Sequence, residues 1–193
     1  MRRTSLPVAA LATMAAAALA LTGCSASQDD AVASASADGP ALVIISSDFV
    51  DDGALPASAS TTAYDGQCDG PNTSPALAWA DPPAGTVAYV LTITDTDADG
   101  FVHAIVEDVS VDLTGAGSGA WDDLGVNGTN DGGTVGYFGP CPPSGTHHYV
   151  FTIDALDTTL GLDKGFTYDE AQAAMDGHVL ASASITGTVV AAG

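Results

Sequence analysis

The chain has 193 residues, of which 24 are Asp or Glu and 3 are Lys or Arg, for a formal net charge of −21, while 46% are hydrophobic. A surface this acidic repels nucleic acid and anionic lipid headgroups, which excludes binding to either through a basic face. Like-charge repulsion is screened over roughly 8 Å at physiological salt, so the fold should prefer salt.

In chain order, Met1-Arg2-Arg3 opens an Ala-rich apolar run, too short for a convincing membrane span and patterned as an export signal. The run ends in Leu21-Thr22-Gly23-Cys24, which resembles the lipobox of bacterial lipoproteins. That resemblance implies cleavage before Cys24 and lipid on its sulfur, with the protein held on the outer face of the bacterial cell membrane. The Arg2-Arg3 pair is also a weak match to a twin-arginine signal. Residues 24–40 are small, polar and acidic, without an apolar period, and bury too little surface to offset the entropy of ordering. They are expected to be a flexible tether between the signal at 1–23 and one domain at 41–193. Both arginines fall in the signal, which leaves Lys164 as the mature chain's one cation against all 24 acids.

Within the domain, the apolar run at 41–49 predicts a strand. The segment at 87–93 puts Val87, Tyr89, Leu91 and Ile93 on one parity, and 149–155 does the same with Tyr149, Phe151, Ile153 and Ala155. Both predict half-buried strands. Residues 101–109 and 183–191 predict two more. The strong helix is 167–180, where Thr167 and Glu170 form a capping box and Asp169 and Glu170 sit at the positive end of the dipole. One C-terminal helix among many strands makes the fold mainly β. The Gly-rich stretch 112–136 lacks calcium-loop spacing and a closing Glu, and is expected to be a surface loop. Cys68 and Cys141, in an exported chain, are expected either to form a disulfide or to remain two buried thiols.

Chemistry concentrates at strand ends. Asp95, Asp97 and Asp99 follow one strand, His103 lies on the next, and His147 and His148 open another behind Gly139-Pro140-Cys141-Pro142-Pro143. The three prolines have fixed φ and no N–H, so this segment is stiff and offers few backbone donors.

The segments "CDGPNTSPALAW" (68–79), "PPAGTVAYVLTITDTDADGFVHAIV" (82–106), "GYFGPCPPSGTHHYVFTIDALD" (136–157) and "GHVLASASITGT" (177–188) occur in an order that resembles the phosphatidylethanolamine-binding protein family, in its bacterial Raf-kinase-inhibitor-like branch. The resemblance implies two packed, antiparallel-rich β-sheets with a small pocket for phosphate-like anions or phospholipid headgroups. The family's Asp-x-Asp motif matches Asp95 and Asp97, its Phe-Val-His motif matches Phe101 to His103, and its Gly-Pro-x-Pro-Pro motif matches Gly139 to Pro143. His147 and Tyr149 then take the positions of the pocket histidine and its neighbour. Two residues depart from the pattern: His148 stands where Arg is usual, and Ala104 where Trp is common.

A carboxylate beside an imidazole stabilises the charged ring and selects which nitrogen carries the proton, so Asp95 with His103 or His147 could hold an anion in a chain nearly without Lys and Arg. Binding is then expected to strengthen toward about pH 6. The residues that carry this expectation are Asp95, Asp97, His103, Gly139, Pro140, Cys141, Pro142, His147 and Tyr149. The expected partners are a small anionic or phosphorylated ligand and, through lipid on Cys24, the membrane. No cofactor is implied, nucleic acid is not a partner, and no protein partner is identified, although family members include kinase and protease inhibitors. Two alternatives stand beside non-catalytic binding. One is a hydrolase using Asp and His as acid and base, although the chain has no Gly-x-Ser-x-Gly elbow. The other is a metal site from Asp95, Asp97, His103, His147 and His148.

Overall fold

The computed structural model describes residues 41–62 and 68–192. The expected signal, Cys24 and the tether lie outside the described residues. In chain order the strands are β1 (Val43–Ile45), β2 (Gly53–Ala54), β3 (Leu77–Ala80), β4 (Ala88–Asp95), β5 (Phe101–Ser110), β6 (Gly115–Ala116), β7 (Val126–Asn127), β8 (Thr146–Leu156) and β9 (Val179–Val190), with helix α1 (Tyr168–Met175) between the last two. A six-stranded sheet has the order β2-β9-β8-β4-β5-β7, and a three-stranded sheet the order β1-β3-β6. All pairings are antiparallel except β2 with β9. The fold is therefore mainly β, with two sheets and a single α-helix among the described residues.

The main core lies between the sheets. Ile44, Leu77 and Trp79 from the small sheet meet Tyr89, Leu91, Ile93, Phe151 and Ile153 from the large one. The outward-facing side of the large sheet is covered as well, because Phe166, Ala171 and Met175 pack on Val90, Val102, Ile105 and Leu156. Strand β8 alternates as its parity predicts. Strand β4, expected to be half-buried, is instead covered on both faces. The cause is tertiary: α1 and the segment before it lie over the even-numbered residues.

Two element ends and one expected loop differ most from the sequence expectation. The strand at 41–49 pairs only over Val43–Ile45, because the Ser46 hydroxyl and the Asp48 carboxylate bond the backbone of Ala76 and take the chain out of the ladder. The helix keeps its capping box, with the Glu170 N–H donating to Thr167 and the Thr167 N–H to Glu170, but stops at Met175. Gly177, at φ 80°, takes the left-handed geometry that ends helices, and Val179 already pairs with Leu156. The 112–136 stretch is no plain surface loop. It contains β6, β7 and the fully buried Trp121, which joins the main core.

Candidate functional site

The apolar parity of two central strands ends in polar residues at one end of the large sheet. On β4 the face that carries Tyr89, Leu91 and Ile93 ends in Asp95, and on β8 the face that carries Phe151 and Tyr149 ends in His147. The register places Asp95 opposite both Phe101 of β5 and Tyr149 of β8. His103 joins them through a bulge: Ile93 faces Ala104 and Thr94 faces Val102, so His103 is the extra residue on β5. Bulges redirect a side chain locally.

These residues line a cavity of about 90 Å³ with Ala98, Phe101, Phe138, Cys141, Pro142 and Pro143. That is well below the roughly 300 Å³ at which drug-sized pockets begin, and suits a group of a few heavy atoms. Among the described residues, no Lys or Arg lines it. Lys164 borders a separate depression beside Glu170.

The polar atoms are closely organised. Asp95 is 3% exposed, and its carboxylate accepts the Asp97 N–H at 2.9 Å on Oδ1 and meets His147 Nδ1 at 2.7 Å on Oδ2. A carboxylate can only accept here, so Nδ1 of His147 carries the proton and Nε2 is left for another partner. His103 is fixed in the same tautomer by a different acceptor, the Phe138 carbonyl at 2.7 Å from Nδ1. Its ring is packed against Phe101, Phe138 and Tyr149, with centroids 4.9, 5.9 and 5.1 Å away. Burial pushes its pKa below the ordinary imidazole value, against the opposing pull of the Phe138 carbonyl and of Asp95. His103 is therefore neutral at pH 7, with Nε2 an acceptor. Burial, followed by the Asp95 charge, pushes the Tyr149 phenol upward, so it stays protonated.

Not every expected residue reaches the cavity. Asp97 turns outward and accepts both the His148 N–H and His148 Nδ1, at 2.7 and 2.8 Å, which holds its carboxyl below the usual range. Gly139 and Pro140 are buried behind the wall and do not line it. Gly139 has a positional role: its N–H donates to Asn72 Oδ1 at 2.7 Å, while Asn72 Nδ2 donates to the Tyr137 carbonyl at 3.0 Å. Asn72 thus acts as a strand partner for a segment about to enter prolines. Cys141 lines the cavity and is bridged to Cys68, with Cα atoms 5.9 Å apart. The five residues of the metal alternative are not gathered, because Asp97 and His148 pair outside; no group of three or more His, Cys, Asp or Glu among the described residues is placed to hold an ion.

Ala98, Phe138, Pro143 and Asn72 were missed by the sequence reading. Phe138 adjoins the proline motif and Pro143 ends it, while Asn72 and Ala98 sit in the quoted 68–79 and 82–106 segments, so each carried a positional signal. None has the chemistry of a titratable group.

Comparison with known proteins agrees with this architecture. The profile described as "Phosphatidylethanolamine-binding protein" matches residues 45–190. A "UPF0098 protein" of Methanothermobacter thermautotrophicus is 42% identical over 127 residues, covering 62% of this chain and 84% of its own. The "Putative lipoprotein LppC" of Mycobacterium tuberculosis is 36% identical over 151 residues, covering 76% and 71%. Among solved structures, Escherichia coli YbcL, described as a member of the mammalian PEBP family, superposes with a TM-score of 0.72 at 28% identity, over 78% of this chain and 99% of that one. A homologue from Chlamydia trachomatis gives 0.69 at 31% identity, over 77% and 97%.

Proposed function

The chain belongs to the phosphatidylethanolamine-binding protein family, and on that premise we propose that it is a lipid-anchored, extracytoplasmic binding protein whose cavity accepts a small phosphorylated or otherwise anionic group. The observation that carries this reading is the Asp95–His147 pair at the cavity wall, 2.7 Å apart, with Asp95 buried and His147 partly exposed. His103 is held neutral, and the prolines carry no N–H, so His147 is the one imidazole of the cavity left to bring positive charge to an anion. The cavity's size favours a headgroup or free phosphate over a whole lipid. Anchoring through Cys24 is supported by the lipobox-like sequence and by the name of the mycobacterial relative. No helix of the described residues is long and apolar enough to cross a membrane.

Titration with inorganic phosphate and with phosphoethanolamine, followed by calorimetry and by the imidazole NMR signals, tests the reading. Both probes should bind, and binding should vanish in His147→Ala. No binding at millimolar ligand overturns it.

The same pair favours one second reading, a hydrolase in which His147 Nε2 serves as general base. Turnover of a phosphoester or carboxylic ester that disappears in His147→Ala would establish it. Binding without turnover leaves the first.

A further inference from the structure

The cavity's proline wall is fastened in an unusual way. Phe138 N–H donates to the His103 carbonyl, Gly139 N–H donates to Asn72, and the Gly145 carbonyl accepts from Ala191. Between these anchors, residues 140–144 make no backbone hydrogen bond among the described residues. Three of them are prolines, which lack the donor. The stretch is held instead by burial of Pro140, Cys141 and Pro142 and by one covalent link, the Cys141–Cys68 bridge across 73 residues. The bridge sits at both ends in the same arrangement. Cys141 lines the cavity, and Cys68 leads into the 70–73 segment, where Asn72 clamps the Tyr137 and Gly139 backbone and the Asn72 and Thr73 N–H groups donate to Ser60 and Ser58.

We propose that the Cys68–Cys141 bridge gates the cavity: opening it by thiol–disulfide exchange frees the proline wall and weakens binding of an anionic group. The ligand half of this proposal rests on the function proposed above. In the exchange, a thiolate of a low-molecular-weight thiol attacks one bridge sulfur, the Cys–Cys bond breaks as a mixed disulfide forms, and the released cysteine sulfur takes a proton from water. A second thiol attacks the mixed disulfide, giving two free cysteines and one small-molecule disulfide. Two thiols are oxidised and the bridge takes up two electrons. Without the link, residues 140–144 must be ordered by the ligand itself, and that entropy cost is subtracted from binding.

The experiment compares oxidised protein with protein reduced by dithiothreitol, reading amide hydrogen exchange by NMR and phosphate titration side by side. Reduction should raise exchange at Gly139, whose N–H is held by Asn72, while the β4 and β8 amides keep their protection. The phosphate dissociation constant should rise about tenfold, the scale of ordering one or two residues, and recover on reoxidation. Cys68→Ser should reproduce the reduced state without reductant. Unchanged exchange at Gly139 overturns the gate, and so does loss of protection throughout β4 and β8, which would make the bridge a staple of the whole fold. Unaltered phosphate affinity after wall exchange has risen overturns the link to binding. Absence of phosphate binding in the oxidised protein removes the anion reading by itself, and the exchange arm still decides whether the bridge holds the wall.

Discussion

His147 Nδ1 lies 2.7 Å from Asp95 Oδ2, although 52 residues separate the two in sequence. Both are held on neighbouring central strands, where Asp95 faces Tyr149 across the ladder. A buried carboxylate that loses this donor keeps the Asp97 N–H but is left partly unsatisfied. Asp95→Ala and His147→Ala should therefore be non-additive: each single change destabilises by about 1–3 kcal/mol, and the double change costs clearly less than their sum. Urea unfolding of the four proteins measures the coupling. Simple additivity would mean that the pair does not bear on the fold.

Gly139 packs where no side chain fits. A Cβ there would run into the Ala59 carbonyl oxygen and lie 2.8 Å from the Thr61 nitrogen, both backbone atoms. Gly139→Ala should destabilise by about 1–3 kcal/mol, as overpacking does. It should also displace the cavity wall and weaken phosphate binding. Thermal melts and phosphate titration of the same variant check both.

Glu107, fully buried on β5, sits beside a second irregularity of the β4–β5 register. Its Oε1 accepts the Leu162 N–H at 2.9 Å, while Oε2 has no partner among the described residues. Desolvation, followed by the charge of Asp108, pushes its pKa up to about 7. A carboxyl whose pKa is raised by folding binds its proton more tightly in the native state. Its stabilising contribution is complete below the ordinary carboxylate range, around pH 4.5, and is lost as pH rises through about 7. Melting temperature should fall across that interval, and Glu107→Gln should flatten the decline. Measurement at high salt separates this local effect from the repulsion of the acidic surface.

The capping box of α1 is a local device that also covers one side of the large sheet. Thr167→Ala removes the acceptor for the Glu170 N–H and should cost about 1 kcal/mol of stability in urea unfolding, without altering phosphate binding. A larger loss, or a change in binding, would show that α1 and the cavity are coupled through the sheet.

Much of the fold was legible because it follows from local pattern. Alternation along 149–155 marked β8 and the face it buries, and Thr167-x-x-Glu170 marked the start of α1. The helix end was overrun because residues 176–180 carry no breaker stronger than one glycine, and pairing of Val179 with Leu156 claimed them for β9. For β4, parity alone could not reveal a second covered face, since the cover comes from residues more than 70 positions later.

The site divides along the same line. Residue types and order in the chain determined the chemical inventory: three separated clusters of Asp, His and proline motif, an acidic surface, and almost no cation to compete with imidazole for an anion. Tertiary structure decided how that inventory is used. It sent Asp97 outward to His148, drew Asp95 inward to His147, used a bulge to bring His103 to the cavity and bound its ring to the Phe138 carbonyl, and closed the wall through Cys68. The physical reason is that proton placement and cavity shape depend on partners and registers 35 to 73 residues apart, and local sequence preferences do not extend over such separations.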